Sequence, residues 1–173
     1  QDCPNHYSPE KLNEQLDKAE AAFSKLDAVG FTTSMETLGL MTPCLNAAVS
    51  PGLSARLHRA EAIRLYTSGD TKRSLSSLLS SRTLQPNYQF PEDLFPTGYA
   101  LLKEYDRIQP SFLPGSSSPF PKVGGLSFDG TLTRTRPTDR PTLFQHLSDD
   151  GSPMQTLYIR PGTPLPDYAI HPK

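Results

Sequence analysis

Residues 69–91 read GDTKRSLSSLLSSRTLQPNYQFP, with five serines between Ser74 and Ser81. Two readings compete. A run of small polar residues has the composition of a flexible linker, whereas apolar residues spaced three and four apart mark one face of a helix. Leu75, Leu78 and Leu79 have helical spacing, Gly69-Asp70 supplies a turn before them, and Pro86 supplies a stop after them. The stretch is therefore predicted to be a helix with those leucines as its buried stripe. Ser76, Ser77 and Ser80 fall to flanking or solvent positions. The contrasting serine cluster, Ser116 to Ser118 within QPSFLPGSSSPFP, has proline in place of the leucines and reads as the true linker.

Upstream, the same periodicity recurs. Ser8 can cap a first helix, with Pro9 at its first position and Tyr7 packing on Leu12. Leu12, Leu16, Ala19, Phe23 and Leu26 then define one face. After Gly30, the series Phe31, Met35, Leu38, Met41, Leu45 and Ala48 predicts a second helix, bent or frayed near Pro43. Ser50-Pro51 opens a third, carrying Leu57, Ala60 and Leu65, and a shorter fifth carries Tyr99, Leu101, Leu102 and Tyr105.

Downstream the pattern changes. Residues 1–107 hold 7 prolines and residues 108–173 hold 11, the latter together with most of the alternating apolar pattern. GGLSFDG, PTLFQHLSDDG and MQTLYIRPG are three strand-like runs, each closed by glycine, and LPDYAIHPK is an extended end. The expected fold class is α+β: an α-hairpin array over residues 6–107, a Pro/Ser-rich linker over 108–121, and a small antiparallel β module over 122–173. A unit of about 50 residues has little core of its own, so the module is expected to pack on the helices.

A chain of 173 residues with net charge −1 has no basic block to bind nucleic acid and no apolar run able to span a bilayer. It opens Gln-Asp-Cys, which reads like a mature chain whose signal peptide has been removed. Cys3 and Cys44 are expected to pair in an oxidising compartment, the alternative being two unlinked thiols in a cytosolic one.

Residues 55–88 resemble a tetratricopeptide (TPR) repeat. The window is 34 residues long. Gly69-Asp70 stands at the inter-helix turn, Leu65 and Leu78 at the large packing positions, Ala62, Ser74 and Ser81 at the small ones, and Pro86 at the closing proline. His58 replaces the usual aromatic, and Glu61 stands where Leu is common. The tail is more distantly similar to PEGA-type β modules through SFDG, DDG and YIRPG, and the combination of TPR-like helices, Pro-rich link and such a tail is similar to envelope proteins of delta-type Gram-negative bacteria. The TPR resemblance implies a groove lined by Arg56, Arg59, Ile63 and Tyr66, where two arginines beside an aromatic suit a carboxylate or an acidic segment.

Other constellations read as structural. His58 and Glu61, three apart, form a surface or packing pair, since His6, His146 and His171 lack ligand spacing for a metal. Phe128-Asp129-Gly130 and Asp149-Asp150-Gly151 suit hairpin turns rather than a calcium loop. Arg134, Arg136 and Arg140 suit a charged sheet edge. No nucleophile motif is present. The expectation is an exported, non-enzymatic scaffold without cofactor or metal, binding protein partners at the cell envelope or surface. The rivals are a structural subunit of a surface filament or secretion assembly, and a glycan-binding protein or hydrolase using the β module.

Overall fold

The computed structural model describes residues 3–170; His171 and the end of the expected tail lie outside them. Four helices make two antiparallel hairpins: α1 (Pro9–Ser24) with α2 (Ala28–Met41), and α3 (Pro51–Thr67) with α4 (Thr71–Leu84). Their starts follow from the sequence. Ser8, Asp27, Ser50 and Asp70 each accept a hydrogen bond from a backbone N–H of the first turn, and Pro9 and Pro51 need no donor there.

The second helix is shorter than expected. Pro43 ends it in a single 3-10 turn (Thr42–Cys44), Leu45 is extended, and Ala48 is exposed. Here the N-terminal tail is secured: Tyr7 N–H donates to Cys44 O, Asn46 N–H to Tyr7 O, and Cys3 is disulfide-bonded to Cys44.

After α4 the chain runs through an aromatic-rich segment to α5 (Ala100–Arg107). It then forms β1 (Ser116–Ser117), β2 (Gly125–Phe128), β3 (Thr131–Leu132), β4 (Thr135–Arg136), β5 (Thr142–Leu147) and β6 (Pro153–Ile159). Strands β3-β2-β5-β6 make an antiparallel sheet with Phe128 opposite Phe144 and Phe144 opposite Leu157. β1 and β4 pair separately, so part of the expected linker lies in a two-stranded ribbon.

Every residue of β5 is buried, because the sheet is covered on both faces. Leu143 and Tyr158 join the helical core, which includes Leu12, Leu16, Leu57 and Leu78. Phe144 belongs to a smaller core on the other face with Leu126, Phe128 and Ile159, closed by Leu165 and Tyr168 of the C-terminal strap. The expected helical and β units thus share apolar packing across their boundary.

The serine helix lies at that boundary. Ser74, Ser77, Ser80 and Ser81 are all fully buried, which corrects the solvent or flanking positions expected for Ser77 and Ser80. Each hydroxyl has a partner outside α4. Ser74 donates to Ala62 O at 2.6 Å, drawing α3 and α4 together, and Ser80 donates to Pro141 O at 2.6 Å. Ser77 bonds the Tyr158 hydroxyl at 3.0 Å, and Ser81 accepts from Arg59 at 3.2 Å. Small side chains permit the close approach, and their hydroxyls satisfy polar groups that the approach buries.

Candidate functional site

The groove-facing residues expected from the sequence are engaged within the chain. Arg56 donates to Asp17 at 2.6 Å, to both Glu20 oxygens at 3.0 Å, and to Asn13, joining α3 to α1. Arg59 is buried; it donates to Gln85 at 2.7 Å and stacks 3.6 Å above the Tyr88 ring. Burial lowers the pKa of its guanidinium. Ile63 is buried as well, and half-buried Tyr66 meets Tyr99 edge-on at 5.5 Å.

The Gln85, Tyr88 and Tyr99 partners of Arg59 and Tyr66 come from residues 85–105, an aromatic belt lying over this side of α1 and α3, whereas Arg56 is held by α1 itself. Phe95 packs against Phe23 and Tyr99, Phe90 against Tyr105, and the Tyr105 hydroxyl donates to Tyr88 O at 2.9 Å. The chain therefore fills with its own segment the side on which a partner was expected.

The most concentrated polar chemistry lies between α3, α4 and the sheet. Asp129 sits at the β2–β3 turn with φ 53°, a left-handed conformation that Asp tolerates better than most residues. Its buried carboxylate accepts four hydrogen bonds. Oδ1 takes His58 Nε2–H at 2.8 Å, the Ser54 hydroxyl at 2.7 Å and the Leu143 N–H at 2.9 Å, while Oδ2 takes the Thr142 hydroxyl at 2.9 Å. Burial pushes the Asp129 pKa up, but the interaction with His58 and the other donors outweighs it and holds the carboxyl below its ordinary value.

The other His58 nitrogen, Nδ1, is 2.7 Å from the Tyr158 hydroxyl, which in turn meets Ser77. Burial raises the Tyr158 pKa, so the phenol stays protonated. The pairing expected between His58 and Glu61 is corrected: His58 bonds Asp129 and Tyr158, and Glu61 bonds Arg64 at 2.5 and 3.0 Å.

Ser54, His58 and Asp129 contain the residue types of a hydrolytic triad without its geometry. Ser54 bonds the carboxylate rather than the imidazole, both ring nitrogens are occupied, and Ser54 and His58 are fully buried. The cluster can hold the sheet on the helices; its Ser54 hydroxyl cannot reach an external substrate. The turn reading of Asp129 was visible in Asp-Gly, but nothing local in the sequence signals the distant His58.

The β-module arginines are likewise used internally. Arg134 donates to Ser118 O at 2.6 Å and stacks on Phe120, Arg136 donates to Arg160 O, and Arg140 bonds Asp139. Among the described residues, no three His, Cys, Asp or Glu side chains converge to hold a metal ion.

Several concavities stay open among the described residues. A cleft of about 660 Å³ lies between α2, α3 and β6, with Phe31, Met35, Leu38, Leu57 and Leu157 as its apolar lining and Glu36, Glu61 and Arg64 among its polar residues. Tyr158 lies at its edge, so the buried network and the cleft share one side chain. No protein-family model, curated protein or solved structure matches this chain.

Proposed function

We propose that this chain is an exported, non-enzymatic protein–protein interaction scaffold of the cell envelope or surface, built from TPR-like hairpins and a PEGA-like β module. The carrying observation is the apolar cleft between α2, α3 and β6, left open while the side of α1 and α3 first expected to receive a partner is covered by the chain itself. Apolar clefts rimmed by charge suit the side chains of a partner segment. The Cys3–Cys44 disulfide supports export, because such bonds persist in oxidising compartments. The His58–Asp129 network supports a holding role, since it locks the β6 wall of the cleft to α3 and α4.

The test places a photo-crosslinking residue at exposed Thr32 on the cleft wall and exposes the chain to an extract of its source. A discrete crosslinked product, lost when Met35→Lys puts a charge in the cleft, is expected. Absence of any product, or a product indifferent to Met35→Lys, overturns the reading.

A second reading, a subunit of a surface filament, is favoured by Phe112 and Leu113. They stand 90% and 59% exposed in a segment secured by Ser111, which bonds Thr83 and Asp139. Such an apolar knob on one copy meeting a cleft on the next is a head-to-tail contact that extends without closing. Concentration-dependent sedimentation abolished by Phe112→Ser would select it, and a monomer at every concentration would eliminate it.

A further inference from the structure

Tyr158 and Glu61 form a ridge between two concavities. On one side is the apolar cleft already described; on the other is a second cleft of about 590 Å³, lined by Lys72, Arg73, Ser76, Arg160, Pro161 and Thr163 beside the ridge itself. The second cleft has three basic side chains and one acidic one. That acid, Glu61, has both oxygens bonded by Arg64 and meets Arg160 only at 3.9 Å.

The three cations are therefore weakly compensated. Lys72 is exposed and has no ion pair among the described residues, and Arg73 keeps only a loose 3.7 Å pairing with Asp70. Arg160 Nη2 has no hydrogen-bond partner among the described residues, although the atom is buried. Lys72 and Arg73 also occupy the first turn of α4, where the helix dipole disfavours cations and the N-cap Asp70 offsets them only in part. The carboxylates of a partner would offset both the mutual repulsion and the dipole.

We propose that the two clefts form one receptor for an extended acidic protein segment. Its carboxylates meet Lys72, Arg73 and Arg160, with the Ser76 and Thr163 hydroxyls as further donors, and its neighbouring apolar side chains enter the cleft of Phe31, Met35 and Leu157. This deepens the scaffold reading and rests on it. The choice of a peptide over a free anion follows from the continuity of the clefts, since a small anion uses only the basic half. An extended chain advances about 3.3 Å per residue, so a few residues suffice to cross the Tyr158 ridge.

The test uses the full chain with its disulfide intact and two labelled octapeptides, one with two leucines followed by three glutamates and one with glutamines in their place. The glutamate peptide is expected to bind, weaken as salt rises, and shift the amide resonances of Arg73, Ser76 and Arg160 together with Met35. Lys72→Glu combined with Arg73→Glu, both exposed and so compatible with folding, is expected to weaken it about tenfold or more. Equal binding of the glutamine peptide, binding by neither, or undiminished binding by the charge-reversed variant overturns the proposal. Inorganic phosphate shifting Arg160 while the peptide shifts nothing overturns it in favour of a small-anion site. Crosslinking from Thr32 that survives charge reversal would remove the acidic segment and leave the scaffold reading standing.

Discussion

Asp129 Oδ1 lies 2.8 Å from His58 Nε2, joining residues 71 apart in sequence and sealing them from solvent. This contact connects the tip of a β-turn to the middle of α3, so it reports on whether sheet and helices are docked. Removing one partner of such a pair leaves the other desolvated and unmatched, which costs about 3–5 kcal/mol. Asp129→Ala is expected to lose that much stability in urea unfolding. Asp129→Asn should lose less, because it keeps one acceptor and tolerates the positive φ. A loss under about 0.5 kcal/mol for Asp129→Ala would mean that the contact holds nothing together.

The same carboxylate sets an acid limit. Its folded pKa lies below the ordinary value, so its stabilising contribution is present above the unfolded-state pKa of about 4 and disappears as pH falls through the lower folded value. Asp139 behaves likewise: burial raises its pKa, but bonds from Ser111 and Arg140 bring it below its ordinary value. Stability is expected to fall with acid below about pH 4. In Asp129→Asn the fall should be shallower, as read from unfolding midpoints across that range.

Ser77 tests the helix–sheet boundary. Ser77→Ala removes a partner of the Tyr158 hydroxyl and should cost about 1 kcal/mol. Ser77→Leu forces extra volume between α4 and β6 and should cost about 1–3 kcal/mol. Were Ser77 on a solvent face, both substitutions would stay within about 0.5 kcal/mol.

That serine shows how far the sequence could be read. Helical spacing of Leu75 and Leu78 is a local signal, so the existence of α4 was legible, as were three of the strands from their Gly-bounded runs. Ser74 and Ser81 were expected at close-packing positions and are buried, but the burial of Ser77 and Ser80 was not legible, because their partners Tyr158 and Pro141 come from the β region. The same applies to His58, whose partners arrive 71 and 100 residues later. Arg59 and Ile63, expected to line a groove, lie buried on α3. Of the aromatic belt that covers them, Tyr99 and Tyr105 were legible as part of a fifth helix, while Tyr88, Phe90 and Phe95 follow no period and left no pattern to extrapolate.

The Cys3–Cys44 bond closes a separation of 41 residues. Constraining the unfolded chain over that loop stabilises by at most about 4 kcal/mol in the entropic model. Reduction should lower the urea midpoint accordingly. The first region to lose amide protection should be the Tyr7 and Asn46 bridge beside it, measured by hydrogen exchange. Unchanged protection there after reduction would show that the tail is held without the bond.

Gly130 provides the sharpest test of docking geometry. It follows Asp129, has φ +83°, and a Cβ built there would lie 2.4 Å from Pro51 N and 2.5 Å from Ser50 C. Those are backbone atoms at the start of α3, so they cannot move aside as a flexible side chain would. Gly151 has a similar φ of +87° but open space around it. Gly151→Ala should therefore cost only the conformational penalty of about 1–2 kcal/mol. Gly130→Ala carries that penalty plus displacement of the turn, which lengthens the Asp129–His58 contact and exposes the carboxylate. Its loss should exceed that of Gly151→Ala by about 2 kcal/mol or more, with part of the acid sensitivity of Asp129 lost as well. Equal losses for the two glycines would show that the turn can withdraw from α3 freely, and that the buried network follows the docking of the sheet instead of enforcing it.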